Sequence, residues 1–352
     1  MPAIPSTGAI SLSDFATEFG GTAPHSLSEY YRDGANVPGN NTNVPTSGQF
    51  RFGQMRGAIN AIINTLANTT NVDLSTVFGS NWASSVPKEI IIPSGVTIGG
   101  TGSSDALTAP SGMGGTLTIT NAGNIIGFGG AASSAGGNAI NIASANITVD
   151  NSGLIAGGGG GGGSGGQGGQ GGGGYSDSGS NSTVLTNNRS CNSHPCPSTF
   201  NINVGICGSN QLPVYRGVCQ TGSCCMGDGN SRTCHVDCYS PVSGGAGGAG
   251  GAGGVGQGYN QSAGTGSGGS SGGSGTSGTY GTGSGGSGGS GANGASYGTA
   301  AGAGSSGSSG ANGYSGNGSG GSSGASGGAA GAAVIYTAAY TMNNTGTVAG
   351  AA

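Results

Sequence analysis

"GGGGGGGSGGQGGQGGGG", residues 157–174, carries glycine at fifteen of eighteen positions. A run like this is either a flexible Gly/Ser tether or a structure that needs the missing Cβ. A tether needs glycine in quantity but not in phase, and here the phase is ordered. Ser164, Gln167 and Gln170 interrupt the run at every third residue, and 244–254 reads GGAGGAGGAGG. Glycine then holds every third place at Gly272, Gly275, Gly278 and Gly281, and again at Gly285, Gly288, Gly291 and Gly294. The same spacing returns over 304–316 and 318–327, with a slip of register between runs.

A period of three matches a polyproline-II-type helix, which has three residues per turn, a rise of about 3.1 Å and no internal hydrogen bonds. Its backbone donors and acceptors point sideways, to water around a lone rod or to neighbouring rods in a bundle. Ordering the backbone costs about 1–2 kcal/mol per residue, most for glycine, so only a cooperative bundle persists. The pattern predicts that a rod bare on all faces, 157–163, is surrounded. A rod with glycine only at every third place, 304–316, lies at the rim.

The 352 residues include 87 glycines and only 5% charged residues, against a usual glycine share of roughly 7%. Seven Lys/Arg and a net charge of −4 supply no basic stripe, which argues against nucleic-acid binding. There is no long apolar run, and "MPAIPSTGAI" lacks a basic and an apolar leader region, which predicts neither membrane insertion nor the usual secretory route. All eight cysteines, Cys191, Cys196, Cys207, Cys219, Cys224, Cys225, Cys234 and Cys238, fall within one short stretch and read as a disulfide-stapled insertion. Zinc, with His194 and His235 nearby, and free thiols are the competing readings, although no C-x-x-C pair occurs. Disulfides without a leader imply release by lysis, as for a virion component. No cofactor or metal site is predicted.

Near the start, "ISLSDFATEF" and "HSLSEYYRDG" each read as a short capped helix, with Ser11/Asp14 and Ser26/Glu29 in capping-box spacing. "PSTGAISLSDF" from Pro5 is echoed by "PTSGQFRFGQM" from Pro45, a repeat suited to docking. Phe52, Met55, Ile59, Ile62 and Leu66 form a heptad-like seam that predicts a helix over 52–68, and Trp82 reads as core. From Glu89 the period becomes two, with short β-branched runs between Gly, Asn and Pro. Asn121, Gly123, Ile125, Gly127 and Asn151, Gly153, Ile155, Gly157 both spell N-x-G-x-I-x-G, and Asn344, Gly346, Val348, Gly350 repeat the spacing. Repeated strand–turn units predict a small β-solenoid-like platform that the C-terminus rejoins.

The expected class is therefore mainly irregular and all-β: a platform, a polyglycine-II bundle and short N-terminal helices. The divisions are a docking motif over 1–46, a helical segment over 47–84, and the platform over 85–156, rejoined by 333–352. The bundle takes 157–174 and 244–332, and the cysteine-rich insertion takes 175–243. The N-x-G-x-I-x-G turns leading into phased glycine blocks resemble the distal adhesins of T-even-type bacteriophage tail fibres, and the "SLSEYY" opening resembles small repeats of large tailed-phage structural proteins. The first resemblance implies a sandwich of polyglycine-II helices whose loops bind a bacterial surface receptor, an outer-membrane protein or a glycan. It also implies other tail-fibre subunits as partners and a location on the virion.

Tyr259, Tyr280, Tyr297 and Tyr314 recur at about two rod lengths, which predicts that all four return to one end of the bundle. Tyrosine suits recognition, and sealing that end is the plainer alternative. Tyr215, Arg216, His194 and His235, with Arg189 and Arg232, make the insertion a second candidate receptor face. No G-x-S-x-G or H-E-x-x-H is present, and Asp105 and Asp150 read as turn residues bonded to their own backbone, so no enzyme is expected. The runner-up function is a subunit of a self-assembling extracellular or virion filament, in which homo-oligomers would form.

Overall fold

The computed structural model describes residues 4–176, 183–188, 211–215, 231–276 and 280–352. Short β-branched runs alternate inward and outward side chains, so each can bury one row only by stacking on a copy of itself. The chain does this in a three-sided parallel β-helix. Its strands are β1 (Ile62–Thr65), β2 (Thr69–Thr70), β3 (Val72–Asp73), β4 (Lys88–Ile92), β5 (Thr97–Gly99) and β6 (Leu107–Ala109). There follow β7 (Leu117–Asn121), β8 (Asn124–Ile126), β9 (Ile140–Ile142), β10 (Ile147–Asn151) and β11 (Leu154–Ala156). The insertion carries β12 (Gly174–Ser176), β13 (Thr183–Asn188), β14 (Leu212–Tyr215) and β15 (Ser231–Val242), and β16 (Val334–Tyr336), β17 (Tyr340–Asn344) and β18 (Thr347–Ala349) end the chain.

One face is β1-β4-β7-β10-β17, the second β2-β5-β8-β11-β18 and the third β3-β6-β9-β16. In the first face Ile90, Ile119, Val149 and Met342 stand in register as one inward column. After β11 the chain leaves and returns only at β16, which pairs with β9 and completes the interrupted turn.

The N-x-G-x-I-x-G turns have a specific cause. Asn121 Nδ2 donates to Asn151 Oδ1 at 2.7 Å, and Asn151 Nδ2 donates to Asn344 Oδ1 at 2.7 Å. Each of these asparagines also accepts the N–H of the glycine two residues on, at 3.2 Å. A buried amide is stable only when so satisfied. Lys88 is fully buried and its Nζ donates to the carbonyls of Ser84, Val86 and Gly114 at 2.7, 3.0 and 2.9 Å, tying two loops together. Burial pushes its amine below the usual 10.5.

Glycine rods leave one corner of this helix, between the second and third faces. Residues 127–139 make a short excursion there between β8 and β9, and 157–333 make the long one. The central rod, 157–173, has six neighbours along its first turns. Its N–H groups donate in rotation to three of them: Gly162 to Gly254 at 2.7 Å, Gly163 to Gly302 at 3.0 Å and Gly161 to Ser134 at 2.9 Å. Its carbonyls accept from the other three: from Ala292 at Gly163, from Gly328 at Gly161 and from Gly130 at Gly159. Each ladder advances by three residues, as in Gly162→Gly254, Gly165→Gly251, Gly168→Gly248 and Gly171→Gly245.

Close approach explains the phase of the interruptions. A Cβ at Gly162 would lie closer than 3.0 Å to the Ala292 carbonyl oxygen, and one at Gly163 would meet Ala325 likewise. The third face of the rod meets Phe128 at Gly158 and Ala131 at Gly161. That neighbour then ends, and side chains return on the same face at Ser164, Gln167 and Gln170.

Serine completes the rim. Where a rod lacks an outer neighbour, its N–H donates to a serine hydroxyl: Gln167 to Ser322, Gln170 to Ser319, Ala249 to Ser270 and Ser287 to Ser308, each at 2.7 Å. The same serines donate their own N–H back to the carbonyls of those residues at 2.8–2.9 Å. The hydroxyl takes the place of the carbonyl of an absent rod.

The N-terminal part differs from the sequence expectation. α1 (Leu12–Phe19) forms with the reciprocal Ser11/Asp14 cap, but "HSLSEYY" makes only a 3-10 turn, Leu27–Tyr30. The helix over 52–68 does not exist: a 3-10 turn covers Phe52–Met55, Gly57 takes φ +71, and β1 begins at Ile62. The seam divides between two cores, Met55 in the N-terminal one and Ile62 and Leu66 against the β-helix. Gly53, Gly57 and the β-branched pair Ile62-Ile63 outweigh the apolar spacing. Within 47–84 the one α-helix is α2 (Leu74–Phe78), capped by Asp73, and Trp82 is buried with its Nε1 donating to the Ser111 carbonyl at 3.3 Å.

Two predictions test the lattice. Gly162→Ala destabilises by at least about 3 kcal/mol, whereas Gly268→Ala, with nothing within 4 Å of its would-be Cβ, stabilises by about 0.4–1 kcal/mol; melting temperatures of the two variants decide this. Ser322→Ala removes the acceptor of the Gln167 amide, costs about 1 kcal/mol, and speeds hydrogen exchange at Gln167 relative to Gly166.

Candidate functional site

The rods end in two sets of loops. At the platform end the chain turns at Tyr259, whose N–H donates to the Gly127 carbonyl at 3.0 Å, and near Tyr297, where Gly298 donates to Gly157 at 2.8 Å. A Cβ at Gly99 would run into the Tyr259 ring, so that ring lies flat on β5. Tyr259 and Tyr297 thus belong to the junction with the β-helix. The expectation of one common end is incorrect: each spacing spans one rod rather than two, so successive tyrosines alternate between the platform end and the far end.

At the other end four tyrosines meet. Tyr280 and Tyr314 lie edge to face with centroids 4.8 Å apart. Tyr239 joins Tyr280 at 5.3 Å, and Tyr175 joins Tyr314 at 6.3 Å. Main-chain bonds hold the rings together: Tyr175 N–H to the Tyr280 carbonyl at 2.8 Å, Tyr314 to Gly281 at 3.1 Å and Ser315 to Gly173 at 3.0 Å. Tyr314 is 53% exposed and the other three are half-buried.

Tyr175 and Tyr239 were not singled out from the sequence. The available signal was their position, one directly after the central rod and one just before the second glycine block. They stand at the root of the insertion, where β12 pairs with β15 through Gly174↔Val242, Tyr175↔Pro241 and Ser176↔Ser240. Edge-to-face pairs of this kind contribute about 0.5–1.5 kcal/mol beyond the area they bury. The cluster therefore joins the root of the insertion to the rod ends.

Of the candidates in the insertion, Tyr215 and His235 lie on paired strands, through Tyr215↔Val236 and Val184↔His235. Their side chains, together with His194, Arg216 and Arg189, lie outside the described residues. The disulfide expectation also lies outside them, since six of the cysteines and the side chains of Cys234 and Cys238 are not described.

The acids of the platform differ from the sequence reading. Asp105 accepts the amides of Asn138 and Asn141 at 2.9 and 2.8 Å, and Asp150 accepts that of Asn343 at 2.7 Å. They bind across adjacent turns of the β-helix rather than to their own backbone, because parallel stacking puts an amide beside each carboxylate. Among the described residues no group of three His, Cys, Asp or Glu could hold a metal ion, and no helix is long and apolar enough to cross a membrane.

Residues 60–210 match the family described as phage tail fibre adhesin Gp38. That match carries the tail-fibre resemblance and the placement on the virion. No curated protein matches the chain. Among solved structures, the crystal structure of the gp37-gp38 adhesin tip complex of the bacteriophage S16 long tail fiber aligns at TM-score 0.35 and 16% identity, covering 98% of this chain and 99% of that one.

Proposed function

We propose that the chain is a virion receptor-binding adhesin: a bundle of polyglycine-II rods, mounted on the β-helix, that holds loops and the cysteine-rich insertion against a bacterial surface receptor. The observation that carries this reading is the gathering of the insertion root and two rod-end loops around Tyr175, Tyr239, Tyr280 and Tyr314. The three-residue step of the ladders supports polyglycine-II geometry, and with a rise of about 3.1 Å the central rod sets this end roughly 50 Å from the platform.

The mechanism is rigid display. A tether would lose loop entropy on every encounter, whereas a cross-bonded bundle has lost it on folding. Tyr314 offers a broad, stiff contact with a polar tip. No charged residue follows Asp237, so Tyr280, Tyr314 and their neighbours in sequence bind through aromatic and neutral polar groups, with little dependence on salt. The receptor is an outer-membrane protein or a glycan, and the role is binding without catalysis. In the insertion, the eight cysteines pair as disulfides that stiffen a segment poor in apolar residues. The N-terminal region docks the chain to other virion subunits.

Adsorption of the purified protein to receptive cells tests the reading. Tyr314→Ser and Tyr280→Ser each weaken adsorption about tenfold, roughly 1.4 kcal/mol, with the melting temperature of the bundle held within a few degrees. Tyr297→Ser, at the platform end, leaves adsorption unchanged. If the wild-type protein never adsorbs and instead grows into long homopolymers indifferent to all three changes, it is a filament subunit and the adhesin reading fails.

A further inference from the structure

Of the four tyrosines at the far end of the rods, Tyr314 alone is more than half exposed, at 53%. Tyr280 and Tyr175 meet it edge-on, at interplanar angles of 89° and 72°. Main-chain bonds fix the loop that carries it: Gly313 N–H to the Gly316 carbonyl at 2.9 Å, Tyr314 to Gly281 at 3.1 Å and Ser315 to Gly173 at 3.0 Å. Asn312 Oδ1 accepts the Gly318 N–H at 3.0 Å and closes the loop from the other side. In the adjacent loop, the Thr276 and Thr282 hydroxyls each accept the other residue's N–H, at 3.0 and 2.7 Å. The ring is thus held in place before a ligand arrives, and a tyrosine has only two side-chain torsions to lose.

The described residues of the rod-end loops, 274–276, 280–283 and 311–318, are Tyr, Thr, Ser, Asn, Gly and a single Ala. Among them stand no charge and no Leu, Ile, Val, Met or Phe. A protein partner of standard size covers about 800 Å² and needs a centre of apolar, aromatic and Arg side chains. One open ring does not supply it. An anionic sugar or a phosphate group calls for Arg or Lys, and these loops have neither. They do offer a flat ring with neutral polar groups beside it, since Ser315 and Asn317 are both exposed. Gly316, between them, has nothing within 4 Å of a would-be Cβ, which leaves room next to the ring. A hydroxyl and an amide can each donate and accept, as bonding to a sugar hydroxyl requires.

Resting on the adhesin reading above, we infer that Tyr314 is the stacking platform for a neutral pyranose of a cell-surface glycan, with Ser315 and Asn317 bonding its hydroxyls. One face of a pyranose is a patch of C–H bonds, and their partial positive charge matches the negative face of an aromatic ring. Its hydroxyls lie around the ring edge, where the loop places its polar side chains. The contact is small, so its affinity depends on a loop that loses little freedom on binding. The main-chain bonds of 313–318 meet that need.

The test uses the full-length chain, receptive cells, and two probes prepared from those cells: their surface polysaccharides, lipopolysaccharide-derived and capsular together, and their outer-membrane proteins in detergent. The polysaccharide is expected to block adsorption and, in saturation-transfer NMR with irradiation of the aromatic protons, to receive saturation at its ring C–H protons. Tyr314→Ser lowers polysaccharide affinity at least tenfold, whereas Tyr314→Phe, which keeps the ring, stays within about threefold of wild type. Sodium chloride at about 0.5 M changes the affinity by no more than about twofold. If the chain adsorbs but only the outer-membrane proteins block it, the sugar platform falls and the adhesin reading stands. Polysaccharide binding that survives Tyr314→Ser, that is lost in Tyr314→Phe, or that disappears in salt overturns the platform as well. A wild-type chain that never adsorbs defeats the adhesin reading itself, together with the platform that rests on it.

Discussion

A main-chain N–H of one rod reaching the carbonyl of the next, at a separation where no Cβ fits, is the contact on which the distal half of the molecule depends. With its bonding pattern repeating every three residues, the donors of the first turns of the central rod reach three neighbours and its acceptors three others, so six neighbours satisfy it there. Glycine is then required wherever a neighbour stands, as at Gly162 against Ala292, and dispensable wherever none does, as at Gln167 and Gln170. The usual drawback of glycine, its large loss of backbone entropy, is accepted because a bulkier residue would separate the chains and leave both partners unbonded. Every rod is therefore stable only in company.

The β-helix makes that company possible. β11 runs directly into the central rod, and the excursion at 127–139 lies beside its first turns as two of the six neighbours. The Asn121–Asn151–Asn344 ladder and the shared register of β7, β10 and β17 hold the departing and returning ends of the chain on adjacent turns. Tyr259 against Gly99 adds an aromatic seat at the junction. A bundle without apolar filling thus starts from a platform whose core is Ile, Leu and Val.

This division assigns different physical tasks to different regions. The platform supplies the hydrophobic stabilisation, and the rods supply length and stiffness through hydrogen bonds. The far end is left to tyrosine, serine, threonine and asparagine. Charge is concentrated in the N-terminal module and the insertion. In the proposed adhesin, attachment to the particle and contact with the host fall to different regions of the chain and use different chemistry.

The glycine phase was legible in the sequence, because exclusion of a Cβ acts residue by residue and leaves its period in the chain. The stacked turns were legible for the same reason, since N-x-G-x-I-x-G records both an amide ladder and a bare turn. The identity of the rod neighbours was not legible: phase reports that a face is occupied, not by what, and six segments distant in sequence share one axis. The tyrosines show this most plainly. Their spacing suggested a common end, but each interval covers one rod, so Tyr259 and Tyr297 fall at the platform and Tyr280 and Tyr314 at the tip, where the strand pair at the insertion root adds Tyr175 and Tyr239. The seam at 52–68 was misleading because apolar spacing carries no information about which of two cores takes each residue. The primary structure alone determined where glycine is obligatory, a local steric matter; the three-dimensional packing decided which chain end meets which, because contacts between distant segments depend on the path of every rod between them.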